Sequence, residues 1–247
     1  MKWFTVINEA ALPLFWNMLR VAVVTRPPNL EPFCIFDGDD RAAVRWLSSA
    51  GVTVIPWRLS FAEALHHYYP HRFEEACGKF LRCDIPLICE ESGITDRYVL
   101  YTDCDVMFTG AVDLDGWRPA YLAAAPEFAQ NNWTYFNSGV MLMNRPAFGT
   151  EVKRLVPLLA TVKSCDQAQL NQCFAHRWSW LPVEYNWKSY WEVNPAARII
   201  HFHGPKVHSG TPEDIAHHTQ EGEEMRKGGF DHYAAVWREY FAYVESL

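Results

Sequence analysis

Residues 97–108 read RYVLYTDCDVMF, an apolar and aromatic run that ends in two aspartates one residue apart. The run, bounded by polar residues, predicts a strand over 97–102. Asp103 and Asp105 then sit at its carboxyl end. In extended backbone, residues two apart point the same way, so the two carboxylates converge on one site. Close carboxylates repel each other unless one takes a proton or a cation lies between them. A hard divalent ion that also binds phosphate oxygens, Mn2+ or Mg2+, suits such a pair.

Upstream of this strand, strands and helices alternate. Strands are predicted at 3–7, 33–36 and 52–57, and helices at 8–24, 41–50 and 73–88, with Pro86 near the end of the last. This alternation predicts an α/β fold with a mostly parallel central sheet flanked by helices. Such sheets bind ligands beyond the carboxyl ends of their strands. Those ends carry Asn8-Glu9, Asp37-Gly38-Asp39-Asp40 and Asp103-Cys104-Asp105. Downstream, 136–143 and 198–202 read as strands and 165–174 as a short helix. Residues 213–227 are polar and fit a helix or a loop. Residues 231–244 (DHYAAVWREYFAYV) form an aromatic amphipathic helix with Asp231 placed as its N-cap.

The acidic strand end and three further segments together resemble glycosyltransferase family 8, the family of glycogenin and the bacterial lipopolysaccharide galactosyltransferases. Residues 101–106, YTDCDV, are similar to the family's Y-[LV]-D-x-D-V. Residues 136–144, FNSGVMLMN, are similar to its F-N-[SA]-G-V-x-x-x-N. Asp166-Gln167 followed by Asn171 is similar to its D-Q-x-x-[LF]-N. His201-Phe202-His203-Gly204-Pro205-Lys206 is similar to its H-[FY]-x-G-x-x-K. The four keep their order, and the likeness runs from about residue 72 to 206.

The resemblance implies the GT-A fold, a Rossmann-like nucleotide-diphospho-sugar transferase architecture, over one domain of residues 1–247. Residues 1–105 would be the nucleotide-binding half, 106–210 the donor-sugar and acceptor half, and 211–247 a helical tail. It implies a metal-dependent enzyme that moves a sugar from a nucleotide-diphosphate donor, usually UDP, to a saccharide or other hydroxyl acceptor with retention at the anomeric carbon. Asp103, Asp105 and His201 would hold the metal, with His203 a second candidate on the same strand face. Lys206 matches the lysine of the leaving group, although it comes one position early after Gly204. Arg82 lies in FLRCDIP, similar to the family's Y-x-R-[LF]-x-x-P, whose arginine contacts the donor; Lys79 shares its helix face. Asn137 would face the donor sugar, with Asp166 and Gln167 beneath it. Asp166 would position the sugar or assist as a nucleophile, and it also suits a helix N-cap. Asn8 and Glu9 stand where the family binds base and ribose. Trp187, Lys188 and Trp191 are candidates for the acceptor site.

The composition is that of an ordinary globular chain: 247 residues, 49% hydrophobic and 21% charged. The net charge of −7 and the lack of any Lys/Arg run argue against nucleic acid as a partner. No leader and no membrane-spanning apolar run is read. A peripheral membrane contact through the aromatic tail stays open. Seven cysteines without a CxxC pair fit a reducing, cytoplasmic setting. Two other readings compete: a metal-dependent phosphohydrolase or nucleotidyltransferase, and a nucleotide-sugar-binding module without turnover.

Overall fold

A computed structural model describes residues 1–161, 166–204, 206–207 and 228–246. The first half alternates as expected: β1 Lys2–Asn8, α1 Leu12–Thr25, β2 Glu31–Asp37, α2 Arg41–Ser49, β3 Thr53–Pro56, α3 Ala62–Tyr68, α4 Phe73–Phe80, α5 Ile85–Glu91 and β4 Tyr98–Thr102. The second half holds β5 Val106–Phe108, β6 Leu122–Pro126, β7 Phe136–Asn144, α6 Arg145–Val152, α7 Leu155–Leu158, α8 Asp166–Cys173, β8 Ser179–Trp180, β9 Trp187–Lys188, β10 Ile199–His201 and α9 Phe230–Glu245.

Seven strands form the main sheet in the order β3-β2-β1-β4-β7-β6-β8. Four of its pairings are parallel, and β7 runs antiparallel to both β4 and β6. A smaller sheet, β5-β10-β9, lies beyond the end of β4. The chain leaves β1 toward β2 on one side and returns to pair β4 on the other. The carboxyl ends of β1 and β4 therefore flank a topological switch point, where a crevice opens. Both ends carry residues picked out by the sequence, Asn8 and Asp103.

The strands are buried on both faces, as a parallel sheet under two helix layers requires. One face packs Phe4, Ile35, Val99 and Met141 against Phe80, Ile85 and Phe174. The other packs Trp3, Cys34, Leu100 and Leu142 against Leu19 and Leu47. A third cluster joins Met18 and Val21 of α1 to Tyr233, Ala234 and Trp237 of α9. The helix predicted over 231–244 thus buries its aromatic stripe in the core. It begins at Phe230 with Gly229 as N-cap and no side-chain cap, so Asp231 lies in the first turn instead of capping it. There its charge still complements the helix dipole.

The single helix expected over 73–88 is two. After Phe80 the backbone tightens into a 3-10 turn, Leu81–Asp84, and a new helix starts at Ile85. Pro86 does not end a helix but occupies the first turn of the second, where its missing N–H costs no hydrogen bond. Buried Asp84 anchors the break, accepting hydrogen bonds from Trp57 Nε1, Ser60 N and Ser60 Oγ at 2.6–2.9 Å. Residues 213–227 lie outside the described residues. No helix among the described residues is long and apolar enough to cross a membrane.

Candidate active site

The crevice at the switch point is a cavity of about 780 Å³, within the usual range for ligand sites. Asn8, Lys79, Arg82, Asp103, Asp105, Asn137, Asp166, Gln167, His201, Gly204 and Lys206 all line it. Glu9 stays outside: it turns to the surface, where its Oε2 accepts from Asp39 N at 2.8 Å.

Local backbone explains the convergence at the floor. Asp103 N donates to Gly139 O at 2.7 Å, and Phe202 N to Asp105 O at 2.9 Å. These bonds draw the end of β4 against β7 and β10. Nothing larger than glycine fits at 139. A Cβ there would lie 2.2 Å from His201 Cε1 and 2.8 Å from Asp103 Oδ2. Gly204 follows β10 with φ +85°, a left-handed turn open to glycine.

Asp103, Asp105 and His201 bring one ligand atom each to within 4.8 Å of one another. Asp103 Oδ1 is held by the Tyr101 hydroxyl and by Arg82 Nη2 at 3.0 Å. Asp103 Oδ2 faces His201 Nε2 at 3.8 Å, and Asp105 Oδ1 faces it at 3.3 Å. Asp105 Oδ2 pairs with Lys206 Nζ. His201 is 1% exposed, and burial lowers its pKa against the pull of Asp105. A neutral ring with an Nε2 lone pair cannot bond the carboxylates beside it. Asp105 Oδ1 is accordingly buried without a hydrogen-bond partner among the described residues. Burial pushes the Asp105 carboxyl up, but the ammonium of Lys206 outweighs it and holds it below the usual range. Two anionic oxygens and one imidazole nitrogen aimed at the same point are a donor set for a divalent cation. His203, the other ligand candidate, turns away: Nε2 pairs with Glu127 Oε1 at 3.0 Å and Nδ1 meets the Tyr190 hydroxyl at 3.4 Å.

Arg82 is buried, and each of its three nitrogens has a partner. Nε donates to Lys79 O at 2.8 Å, and Nη1 to Ser138 O and Oγ at 2.8 and 3.2 Å. Nη2 reaches Asp103 at 3.0 Å and Asp166 Oδ2 at 3.4 Å. The guanidinium thus ties the metal-site aspartate to Asp166. Burial raises the Asp166 pKa, outweighing Arg82. Asp166 is the first residue of α8, as its reading as a cap anticipates within one position. Gln167 Oε1 accepts from Ser138 N at 2.9 Å, and the residue lines the cavity. Lys79 stands at the rim, ion-paired with Glu75 at 2.6 Å. Asn8 Oδ1 caps the turn at Ala11 N while Nδ2 donates to Glu74 O.

Glu127 and Asn186, absent from the sequence reading, complete the site together with Lys188. Glu127 lines the cavity and holds Asn137 and His203; burial opposes its ionisation, yet His203 brings its pKa to about 2. Asn186 and Lys188 lie beneath His201 and are fully buried. The placement of Trp187, Lys188 and Trp191 at an acceptor site is corrected. The two tryptophans are 3% and 8% exposed and pack in the core under α9, and Lys188 has no exposed surface. Pairs of aromatic residues four apart look the same in sequence whether they face the core or a ligand.

The fold is of the GT-A type. No family profile and no curated protein sequence matches the chain. Among solved structures, the glycosyltransferase GlyE of Streptococcus pneumoniae TIGR4 superposes with a TM-score of 0.66 at 20% identity, over 98% of this chain and 62% of GlyE. The galactosyltransferase LgtC, solved in complex with donor and acceptor sugar analogs, gives 0.65 at 16% identity over 91% of this chain and 95% of LgtC. The bifunctional glycosyltransferase WbbM gives 0.61 at 13% identity, over 96% of this chain and 51% of WbbM. This chain therefore spans about three fifths of the length of GlyE and half that of WbbM.

Proposed function

We propose that the protein is a metal-dependent, retaining glycosyltransferase that moves a sugar from a nucleotide-diphosphate donor, UDP in the first instance, to a saccharide or other hydroxyl acceptor. The observation that carries this reading is the convergence of Asp103 Oδ2, Asp105 Oδ1 and His201 Nε2 in a cavity at the switch point of a GT-A fold. We assign the whole chain to one catalytic domain, with residues 1–105 binding the nucleotide and 106–210 the sugars. Six described cysteines are free, which supports a reducing, cytoplasmic setting.

Asp103, Asp105 and His201 would hold Mn2+ or Mg2+. When bound, the ion supplies Lewis-acid stabilisation of the charge that develops on the departing diphosphate. The protein's own residues do the rest. Lys206 lines the cavity beside Asp105, and its ammonium would pair with the departing diphosphate. Lys79 presents a second positive charge at the rim. Asn8, at the end of β1, offers polar contacts to the nucleoside. Asn137, Asp166 and Gln167 form the wall on which the sugar would rest. Arg82 acts on this wall indirectly, by fixing Asp103 and Asp166.

Product analysis tests the reading. Incubation with a UDP-sugar, Mn2+ and a saccharide acceptor is expected to release UDP and give a new glycosidic bond of the donor's anomeric configuration, read by proton NMR. Release of inorganic phosphate would point to the phosphohydrolase instead. An inverted anomer would remove the retaining course.

A further inference from the structure

We infer that a buried relay of side-chain amides, Glu127–Asn137–Asn186 with Lys188, fixes the tautomer of His201 and so positions its Nε2 as a metal ligand. This inference rests on the metal site proposed above but concerns residues outside it.

The argument follows hydrogen-bond polarity from one fixed group to the next. Glu127 is a carboxylate and accepts only, and its Oε2 lies 2.6 Å from Asn137 Nδ2. Gly139 N–H donates only, and it lies 3.0 Å from Asn137 Oδ1. The orientation of the Asn137 amide is therefore set from both ends. Gln167 adds a third constraint, because its Oε1 accepts from Ser138 N and also takes the Asn137 Nδ2 donor at 3.2 Å.

With Asn137 Oδ1 facing Asn186, the group of Asn186 that meets it at 2.9 Å must be the donor, Nδ2. Asn186 Oδ1 is thereby turned to the other side, where Lys188 Nζ donates to it at 2.9 Å. His201 Nδ1 approaches the same oxygen at 3.0 Å. An amide oxygen cannot donate, so Nδ1 must carry the proton. The lone pair of a neutral His201 is then on Nε2, the atom that faces Asp103 and Asp105. Metal-bound histidines commonly have the other ring nitrogen held in this way.

The relay also accounts for two residues with no contact to the cavity. Asn186 and Lys188 are both completely buried, Lys188 with a single hydrogen-bond acceptor, at 2.9 Å, among the described residues. A lysine ammonium is expensive to bury. Here it supplies the donor that holds Asn186 Oδ1 toward the histidine. Asn186 and Lys188 are positioning residues, since they act on the metal only through His201.

The test measures Mn2+ affinity by electron paramagnetic resonance, without donor or acceptor, and His201 tautomer by 15N NMR of the metal-free protein. Asn186→Leu is expected to weaken Mn2+ binding about 10–100-fold, the usual loss when a ligand's hydrogen-bond partner is removed. Asn186→Asp keeps an acceptor for Nδ1 but sets a second acceptor against Asn137 Oδ1, so it is expected to bind better than Asn186→Leu and no tighter than the wild type. Lys188→Met should fall between the two. Wild-type protein should show Nδ1–H and a bare Nε2. Unchanged Mn2+ affinity in a folded Asn186→Leu variant, or Nε2–H in the wild type, would overturn the relay. The tautomer measurement stands even if the leucine variant does not fold. Failure of the wild type to bind Mn2+ would instead count against the metal site itself, leaving the NMR result to decide the relay.

Discussion

Asp105→Asn is expected to remove at least about 10³-fold of metal-stimulated turnover while leaving the fold intact. Asp105 Oδ1 is buried, 3.3 Å from His201 Nε2 and without a hydrogen-bond partner among the described residues. An amide in its place keeps the shape but removes the negative charge that a divalent ion needs. The loss follows from the several kcal/mol that a Lewis acid contributes to a departing phosphate, at about 1.4 kcal/mol for each factor of ten. Stability should change little. The variant weakens the pairing with Lys206 but also relieves the repulsion between two neighbouring carboxylates. Turnover with and without Mn2+, together with circular dichroism, checks both halves. Full metal-stimulated activity in the folded variant would move the metal elsewhere.

Arg82→Met is expected to be the most destabilising change in the site. The buried guanidinium lies between Asp103 and Asp166 at 3.0 and 3.4 Å, and it also bonds Ser138 and the backbone of Lys79. Removing one partner of a buried ion pair leaves an uncompensated charge and typically costs about 3–5 kcal/mol. For a chain of this size, that corresponds to a fall in Tm of roughly 6–20 °C. The pH dependence identifies the cause. Burial already raises the Asp166 pKa in the folded protein, and Arg82 opposes that rise. Without Arg82 the folded state takes up a proton more readily than the unfolded chain, so stability rises as pH falls through the raised pKa. The Tm deficit relative to wild type should therefore narrow between pH 7 and pH 5. A deficit that is constant across this range would mean that lost packing, and not stranded charge, is responsible.

Much of this arrangement was legible in the sequence, for identifiable reasons. β1, β2 and β4 are apolar runs with abrupt polar ends, and buried parallel strands must read that way. The polar ends of β1 and β4 therefore single out Asn8 and Asp103 from the sequence alone. Asp105 followed from the two-residue period of extended backbone. What could not be read was long-range. Glu127 follows β6, whose sequence Leu-Ala-Ala-Ala-Pro carries no strand periodicity, so nothing marked it as a strand-end residue. Asn186 and Lys188 act through a hydrogen-bond relay that exists only once β9 pairs with β10. The break between α4 and α5 depends on Asp84 meeting Trp57 and Ser60, more than twenty residues upstream. Trp187 and Trp191 show the converse: the residue type suited a sugar platform, but α9 covers them.

The most direct test is a thermal-shift measurement with a panel of nucleotide sugars, each with and without Mn2+, on the wild type and on Asp105→Asn. A ligand at 100 times its Kd stabilises the native state by about 2.7 kcal/mol, or roughly 5–11 °C in Tm for a chain of this size. The account predicts a shift of that order for a UDP-sugar that requires Mn2+ and disappears in Asp105→Asn. A folded protein that binds Mn2+ but shows no shift with any nucleotide sugar would contradict it.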